Sequence, residues 1–256
     1  MTEQILVVND DGIHSKGISV LKNIAKLLSD NVSVVAPDTE QSASSHSLTL
    51  HRPLRIRSIS ENTFSIDGTP TDCVFLAYNK ILKDNLPTLV LSGINRGINV
   101  GEDITYSGTV AAAIEATLLK IPAIALSQEY SNTSQIFWET SEEWAPLVIE
   151  YLLAINWEPE TLFNINFPNL PPDEIKGVVF TEQGKHEALD LFEQRVDPRG
   201  REYFWIGVSE RSMGNGSKGT DVRAINDGYI SVTPLHLNLT HYKTLQRFEG
   251  NPLLFK

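Results

Sequence analysis

Two carboxylates stand side by side where the first apolar run of this chain ends. Ile5-Leu6-Val7-Val8 is a short β-branched stretch, and Asn9-Asp10-Asp11-Gly12 follows it directly. Adjacent acids repel unless a cation or a basic side chain lies between them. Their oxygens, with the Asn9 amide, are hard donors, suited to Mg²⁺ or Mn²⁺ rather than to soft metals. In an open α/β sheet, ligands bind at the carboxyl ends of the strands. The first expectation is therefore a hard-metal site at the tip of the first strand. The same four residues are also good turn chemistry, because Asn, Asp and Gly suit turns and helix caps. The rest of the chain has to decide.

Three further segments carry polar chemistry at strand ends or helix starts. Ala36-Pro37-Asp38 leads into a serine-rich loop, Gln41-Ser42-Ala43-Ser44-Ser45-His46-Ser47, which reads equally as a mobile lid. His46 offers a general acid, but a lone loop histidine is more often a surface residue. Ser92 to Gly101 places glycines at 93, 97 and 101 around Asn95 and Asn99. Backbone N–H groups beside such glycines can approach an anion closely, and the amides add donors or metal-binding oxygens. The segment matches neither a Walker A motif nor the Rossmann glycine fingerprint; a plain turn is the alternative. Ser107-Gly108-Thr109 opens an alanine-rich run, where hydroxyls, first-turn N–H groups and the helix dipole make a phosphate cradle. Ordinary capping by Ser107 is the simpler reading. No Ser-His-Asp arrangement is supported by order or spacing.

These segments need a scaffold that brings them to one edge. Ile5–Val8 reads as a strand, Ile18 to about Ser29 as an amphipathic helix, and Val32–Ala36 as a second strand, together a βαβ unit. A helix is predicted from Thr69 to Leu82, after a Gly-Thr-Pro start. Strands at 89–92, 123–127 and 162–166 alternate with helices at 107–119 and 144–153. After about residue 167 prolines punctuate the chain. Short β-like pieces follow near 178–180, 203–206 and 229–232, with a flexible loop at 214–219. Exposed, aromatic-bearing hairpins of this kind often seek a partner subunit. The fold class is thus α/β, a three-layer, Rossmann-like, mostly parallel sheet with protruding C-terminal hairpins used in oligomerisation. A single domain over 1–256 is expected, with 1–167 the core carrying the site and 168–256 completing the sheet and supplying the hairpins.

Bulk properties narrow the partners. With 256 residues, 41% of them hydrophobic, a real core is expected. The net charge of −11 argues against a nucleic-acid polymer, which needs a basic footprint. A small phosphorylated substrate stays open, because a bound divalent ion reverses the local sign. The single cysteine, Cys73, excludes an intramolecular disulfide and reads as a packed small side chain. No signal peptide and no membrane-length apolar run is legible, so a cytoplasmic protein is expected.

Taken in order, the segments resemble the SurE family, stationary-phase survival proteins that act as metal-dependent nucleotidases. The resemblance runs through Asn9 to Gly12, Val34 to Asp38, Ser42, Ser47 to Leu50, Gly68 to Val74, Ser92 to Gly101, Asp103 and Tyr106 to Ala113. It continues in Asp197 to Gly200, Gly219 to Asp221 and Ser231 to Leu235. It implies one divalent metal ion per subunit, Mg²⁺ or Mn²⁺, held by Asp10, Asp11, Ser42 and Asn95. It implies that Asn99, Ser107, Gly108 and Thr109 contact the phosphate. The implied substrates are nucleoside 5′- and 3′-monophosphates and short polyphosphate. The implied assembly is a homodimer or homotetramer built by exchange of C-terminal elements. One departure is visible: Ala43 follows Ser42 where the family has glycine, and alanine disfavours positive φ.

Residues and resemblance converge on attack by a metal-activated water, with Asp11 the preferred acceptor of its proton and Asp10 beside it. No general acid is legible. A covalent phosphatase using Asp10 as nucleophile is the first rival, although such enzymes carry Asp-x-Asp and here the acids are adjacent. A nucleotide-binding regulator without catalysis is the second.

Overall fold

Alternation along the first strand sets the architecture. The computed structural model describes residues 4–130, 135–185, 192–206 and 214–248. The chain runs β1 (Ile5–Val8), α1 (Lys16–Leu28), β2 (Val32–Pro37), β3 (Ile56–Ser60), β4 (Thr63–Ile66), α2 (Pro70–Leu76), β5 (Leu89–Arg96), α3 (Gly108–Leu118), β6 (Ala123–Gln128), α4 (Trp138–Ala154) and β7 (Thr161–Phe167). Then come β8 (Val178–Phe180), β9 (Phe192–Val196), β10 (Glu202–Ile206), α5 (Asp221–Asn226), β11 (Ile230–His236) and α6 (Tyr242–Leu245). Ile5 and Val7 join the apolar cluster beneath α1 and α4, while Leu6 and Val8 join the one beneath α2 and α3. A strand covered on both faces has no solvent side, which is why the run reads as continuously apolar.

The nine-stranded sheet has the order β3-β4-β2-β1-β5-β6-β7-β11-β8. From β4 through β7 neighbours are parallel; β3 and β11 are antiparallel to β4 and β7. Helices cover both faces, giving the three layers expected. The chain leaves β1 toward β2 on one side and returns to β5 on the other, so β1 and β5 flank the topological switch point where such sheets bind ligands.

Several elements differ from expectation. The β3–β4 hairpin was not legible: all of β3 is exposed, so its Ile-Arg-Ser-Ile-Ser pattern carries no core signal. The helix starting at Thr69 stays α-helical only to Leu76 and then widens over Ala77–Ile81. There the Asn79 side chain donates to Phe75 O at 2.9 Å, while Leu82 N bonds back to Ala77 O. That side-chain bond takes the carbonyl that Asn79 N–H would use in a regular turn. Helix α4 starts at Trp138, ahead of the predicted 144, and carries Pro146 in its interior.

β9 and β10 form a separate antiparallel hairpin, exposed along both strands, with Phe192 and Phe204 in edge contact. Among the described residues, no helix is long and apolar enough to cross a membrane. Cys73 is fully buried, and burial pushes its thiol well above its ordinary range, as a packing residue requires.

Candidate active site

The strand alternation continues past Val8 and aims the next side chains apart. Asn9 is buried on the α1 side, where its Nδ2 donates to Ser15 Oγ at 2.8 Å and to Gly12 O at 3.0 Å. Asp10 turns toward α3 and is only 5% exposed. The Thr109 hydroxyl donates to its Oδ1 in a short bond, and the Thr109 backbone adds a second. Burial pushes the Asp10 carboxyl up to about 6; the Thr109 bond offsets part of that and the charge of Asp11 adds to it. Asp11 is half-buried, and Arg96 N–H donates to its Oδ2 at 3.1 Å. Burial raises its carboxyl too, against that amide; the charge of Glu40 adds and the charge of Arg96 subtracts. Two neighbouring carboxylates, both raised, form a site that favours a cation.

Helix α3 delivers the third group. Ser107 is its N-cap: Oγ accepts from Val110 N at 3.0 Å, leaving the hydroxyl hydrogen to donate outward. Gly108 lies so close to Asp10 that an added Cβ would sit 2.8 Å from Asp10 Cβ and 3.0 Å from Ser44 Oγ. The helix N-terminus is therefore pressed directly against the carboxylate, and only glycine fits between them. The capping reading of Ser107 is thus observed, and it leaves the hydroxyl hydrogen unspent.

The serine loop is tied down rather than free as a lid. Gln41 N bonds Asp10 O, Ser45 N and Oγ bond Tyr106 O and Thr105 O, and His46 Nε2 lies 2.8 Å from Glu115 Oε2. Thr69 Oγ1 donates to Ser47 O, and the Asp72 carboxylate takes both Thr49 N and Thr69 N. The Gly-Thr-Pro-x-Asp motif thus caps α2 and anchors the loop with the same side chains. Ser42 Oγ donates to Glu40 Oε1 at 2.6 Å. Ala43 does take a positive φ, +58°, the conformation its side chain disfavours.

On β5, Asn95 Nδ2 donates to Gly97 O at 2.7 Å, which fixes the amide and leaves its oxygen to accept. Between Ser92 and Asn95 the pairing with β6 slips, because three steps on β5 span two on its neighbour. Gly93 has φ +134°, the Gly93–Ile94 peptide is cis, and an added Cβ at Gly93 would meet Leu126 O at 2.2 Å. Asn99 is a hub: its N–H reaches Asn166 Oδ1, its Nδ2 reaches Ser127 Oγ, and its carbonyl accepts from Asn164 and Asn166.

Asp10, Thr109, Ser107 and Gly108 are thus brought together, with Asp11 and Asn95 on the adjoining strand ends. The remaining expected residues lie in the same loops, with Ser42 engaged by Glu40 and Asn99 by its amide network. Sequence reasoning missed Glu40, Ser44, Glu115 and Tyr130. Three buried polar atoms without a partner lie in these segments: Asn9 Oδ1, Ser44 Oγ and Ser92 Oγ. Each is a polar atom that a ligand or water can engage. Among the described residues no three His, Cys, Asp or Glu side chains gather. The acidic donors gathered here are the two carboxylates, with neutral oxygens around them. The rival with Asp10 as nucleophile finds that carboxylate buried and bonded by Thr109.

Known proteins resemble the chain along nearly its whole length. Residues 5–190 match the family model described as survival protein SurE. A 5′-nucleotidase SurE of Paramagnetospirillum magneticum is 52% identical over 96% of this chain and 94% of its own. One from Caulobacter vibrioides is 45% identical over 96% of this chain and 95% of its own. The crystal structure of the SurE protein from Aquifex aeolicus superposes with a TM-score of 0.85 at 43% identity, covering 96% of this chain and 98% of that one. A family model matched over residues 5–190, with relatives at 45–52% identity along nearly the whole length, shows that the chain belongs to the SurE family.

Proposed function

We propose that this chain is a divalent-metal-dependent phosphomonoesterase acting on nucleoside 5′-monophosphates, with 3′-monophosphates and short polyphosphate as further substrates. The relatives' names carry the 5′-nucleotidase part. The observation that carries the chemistry is the Asp10–Asp11 pair, set at the switch point with the N-terminus of α3 against it. Asp10, Asp11, Ser42 and Asn95 fit Mg²⁺ or Mn²⁺, one ion per subunit: all offer hard oxygens, and the raised carboxyls gain most from a cation.

When bound, such an ion polarises a phosphoryl oxygen and acidifies a water molecule. The chain's own residues do the rest. Thr109 holds Asp10 in place by hydroxyl and amide. Asp11, half-buried and raised, takes the proton from the attacking water. The Ser107 hydroxyl and the first-turn amides of α3 face the equatorial oxygens, where charge spreads as the leaving group departs. Asn99, locked by Asn164, Asn166 and Ser127, keeps its second Nδ2 hydrogen for the phosphate. The exposed β9–β10 hairpin supports a homodimer or homotetramer.

The test is phosphate release from a panel of nucleoside monophosphates after chelation and metal add-back, beside a folded Asp11→Asn variant. Activity restored by metal in wild type and lost in the variant is expected. No release with any metal from folded protein would leave only a nucleotide-binding role.

A further inference from the structure

One cation stands at the mouth of this acidic site, and its side chain is held by an aromatic ring. Arg96 lies at the end of β5, next to Asn95. Its backbone N–H is spent on Asp11 Oδ2, at 3.1 Å. Its guanidinium carbon sits 4.5 Å from the centre of the Tyr130 ring. Tyr130 is tied to the same place: a Cβ at Gly97 would lie 3.6 Å from Tyr130 Cε1 and 3.7 Å from Asn95 Nδ2, so ring and amide flank one glycine. Gly97 N bonds Gln128 O, two residues before Tyr130, which fixes the two strand ends together.

Stacking uses one face of the guanidinium and leaves its in-plane N–H donors unspent. Among the described residues, no carboxylate lies within ion-pair distance of it. An exposed arginine on a chain of net charge −11, whose charge reaches Asp11 without an ion pair and which stacks on a ring instead, is set up for an oxyanion that is not part of the protein. A phosphate dianion approaching Asp10, Asp11 and Glu40 needs such a charge near the point of attack.

We propose that Arg96 is a phosphate-binding residue of this site, donating its guanidinium N–H groups to a non-bridging oxygen of the substrate phosphoryl group, and that Tyr130 is the positioning residue that holds it there. The inference rests on the phosphatase reading above. It assigns Arg96 to the phosphate rather than to the nucleoside, and the experiment separates the two.

Arg96→Ala, Arg96→Lys, Tyr130→Ala and Tyr130→Phe are compared with wild type, each checked for an unchanged melting temperature. Two substrates are used: adenosine 5′-monophosphate, and p-nitrophenyl phosphate, which has no nucleoside. Binding of inorganic phosphate in the presence of Mn²⁺ is measured by calorimetry as a readout independent of turnover. Arg96→Ala is expected to lower kcat/KM roughly 10- to 100-fold on both substrates alike, and to weaken phosphate binding. Arg96→Lys recovers only part, because an ammonium has no planar fork. Tyr130→Ala falls in the same direction, and Tyr130→Phe, which keeps the ring, restores most of the loss. A loss confined to the nucleotide, with phosphate binding intact, overturns the proposal in favour of base recognition. Equal rates and binding in Arg96→Ala and an active wild type overturn it outright. If wild type neither hydrolyses nor binds phosphate with any metal, the phosphatase reading fails first and the inference falls with it.

Discussion

Asp221 receives the backbone N–H of Gly101 at 2.9 Å, across 120 residues of chain. Its other oxygen accepts Gly184 N and Val222 N, at 2.7 and 2.8 Å, and the side chain is fully buried. One carboxylate at the start of α5 therefore holds the loop that runs from Asn99 to the N-terminus of α3. Val222 and Ile225 pack on Val100 from the same helix, and Gln183 Nε2 donates to Gly101 O. The C-terminal part of the chain is thus a support of the site as well as the completion of the sheet.

Asp221→Asn keeps the shape but replaces an accepting oxygen by a donor, leaving a backbone N–H facing an NH₂. Buried mismatches of this kind cost about 2–4 kcal/mol. Urea unfolding should show that loss. The phosphate-side loop should loosen with it, so kcat/KM should fall more than the small change in folded fraction explains.

Asp10 gives a pH signature in metal-free protein. Its native carboxyl lies at about 6, whereas an unfolded aspartate titrates near 3.9. Between those values the native state holds the proton more tightly than the unfolded state, so this residue makes the protein less stable as pH rises. The penalty is complete above about 6 and amounts to roughly 3 kcal/mol. Asp10→Asn should therefore melt higher than wild type in chelator at pH 7.5, and the advantage should vanish toward pH 4. A constant difference across that range would contradict the buried-charge account. The same variant should be inactive.

Gly108→Ala puts a methyl group 2.8 Å from Asp10 Cβ. Alanine suits a helix better than glycine, so the fold should survive. The displaced carboxylate should not, and kcat/KM should drop at least about 100-fold, since misplacement by about 1 Å carries that cost.

Ala43→Gly addresses the loop carrying Ser42. Relief at φ +58° outweighs the added freedom of the unfolded chain by about 1 kcal/mol. For a chain of this size that is a rise of about 2–4 °C in melting temperature. An unchanged or lower value would show that the loop holds this conformation without strain.

Much of this was readable from residues alone, and particular elements say why. β1, β5 and β6 are apolar on both faces, so their runs and the polar residues that end them stood out. Ser107 and Thr69 announced their helices by capping chemistry. The β3 strand had no core face to announce it. Tyr130 and Glu115 were invisible because their meaning depends on a partner far away in sequence: the ring on Arg96, the carboxylate on His46. The glycine spacing marked Asn95 and the serine loop marked Ser42 only as polar candidates; the resemblance alone supplied the expectation that they share one metal ion.

The irregular step on β5 levels the site. Val8 and Ser92 are register partners, and Asp10 lies two residues beyond the first while Asn95 lies three beyond the second. Because three steps on β5 cover two on β6, the surplus residue is absorbed, and Asn95 comes out at the height of Asp10. The interval from Ser92 to Asn95 therefore works as a spacer of fixed count. Removing or adding one residue there would leave the sheet its hydrogen bonds further down, yet shift one donor about 3.3 Å along the strand and onto the opposite face.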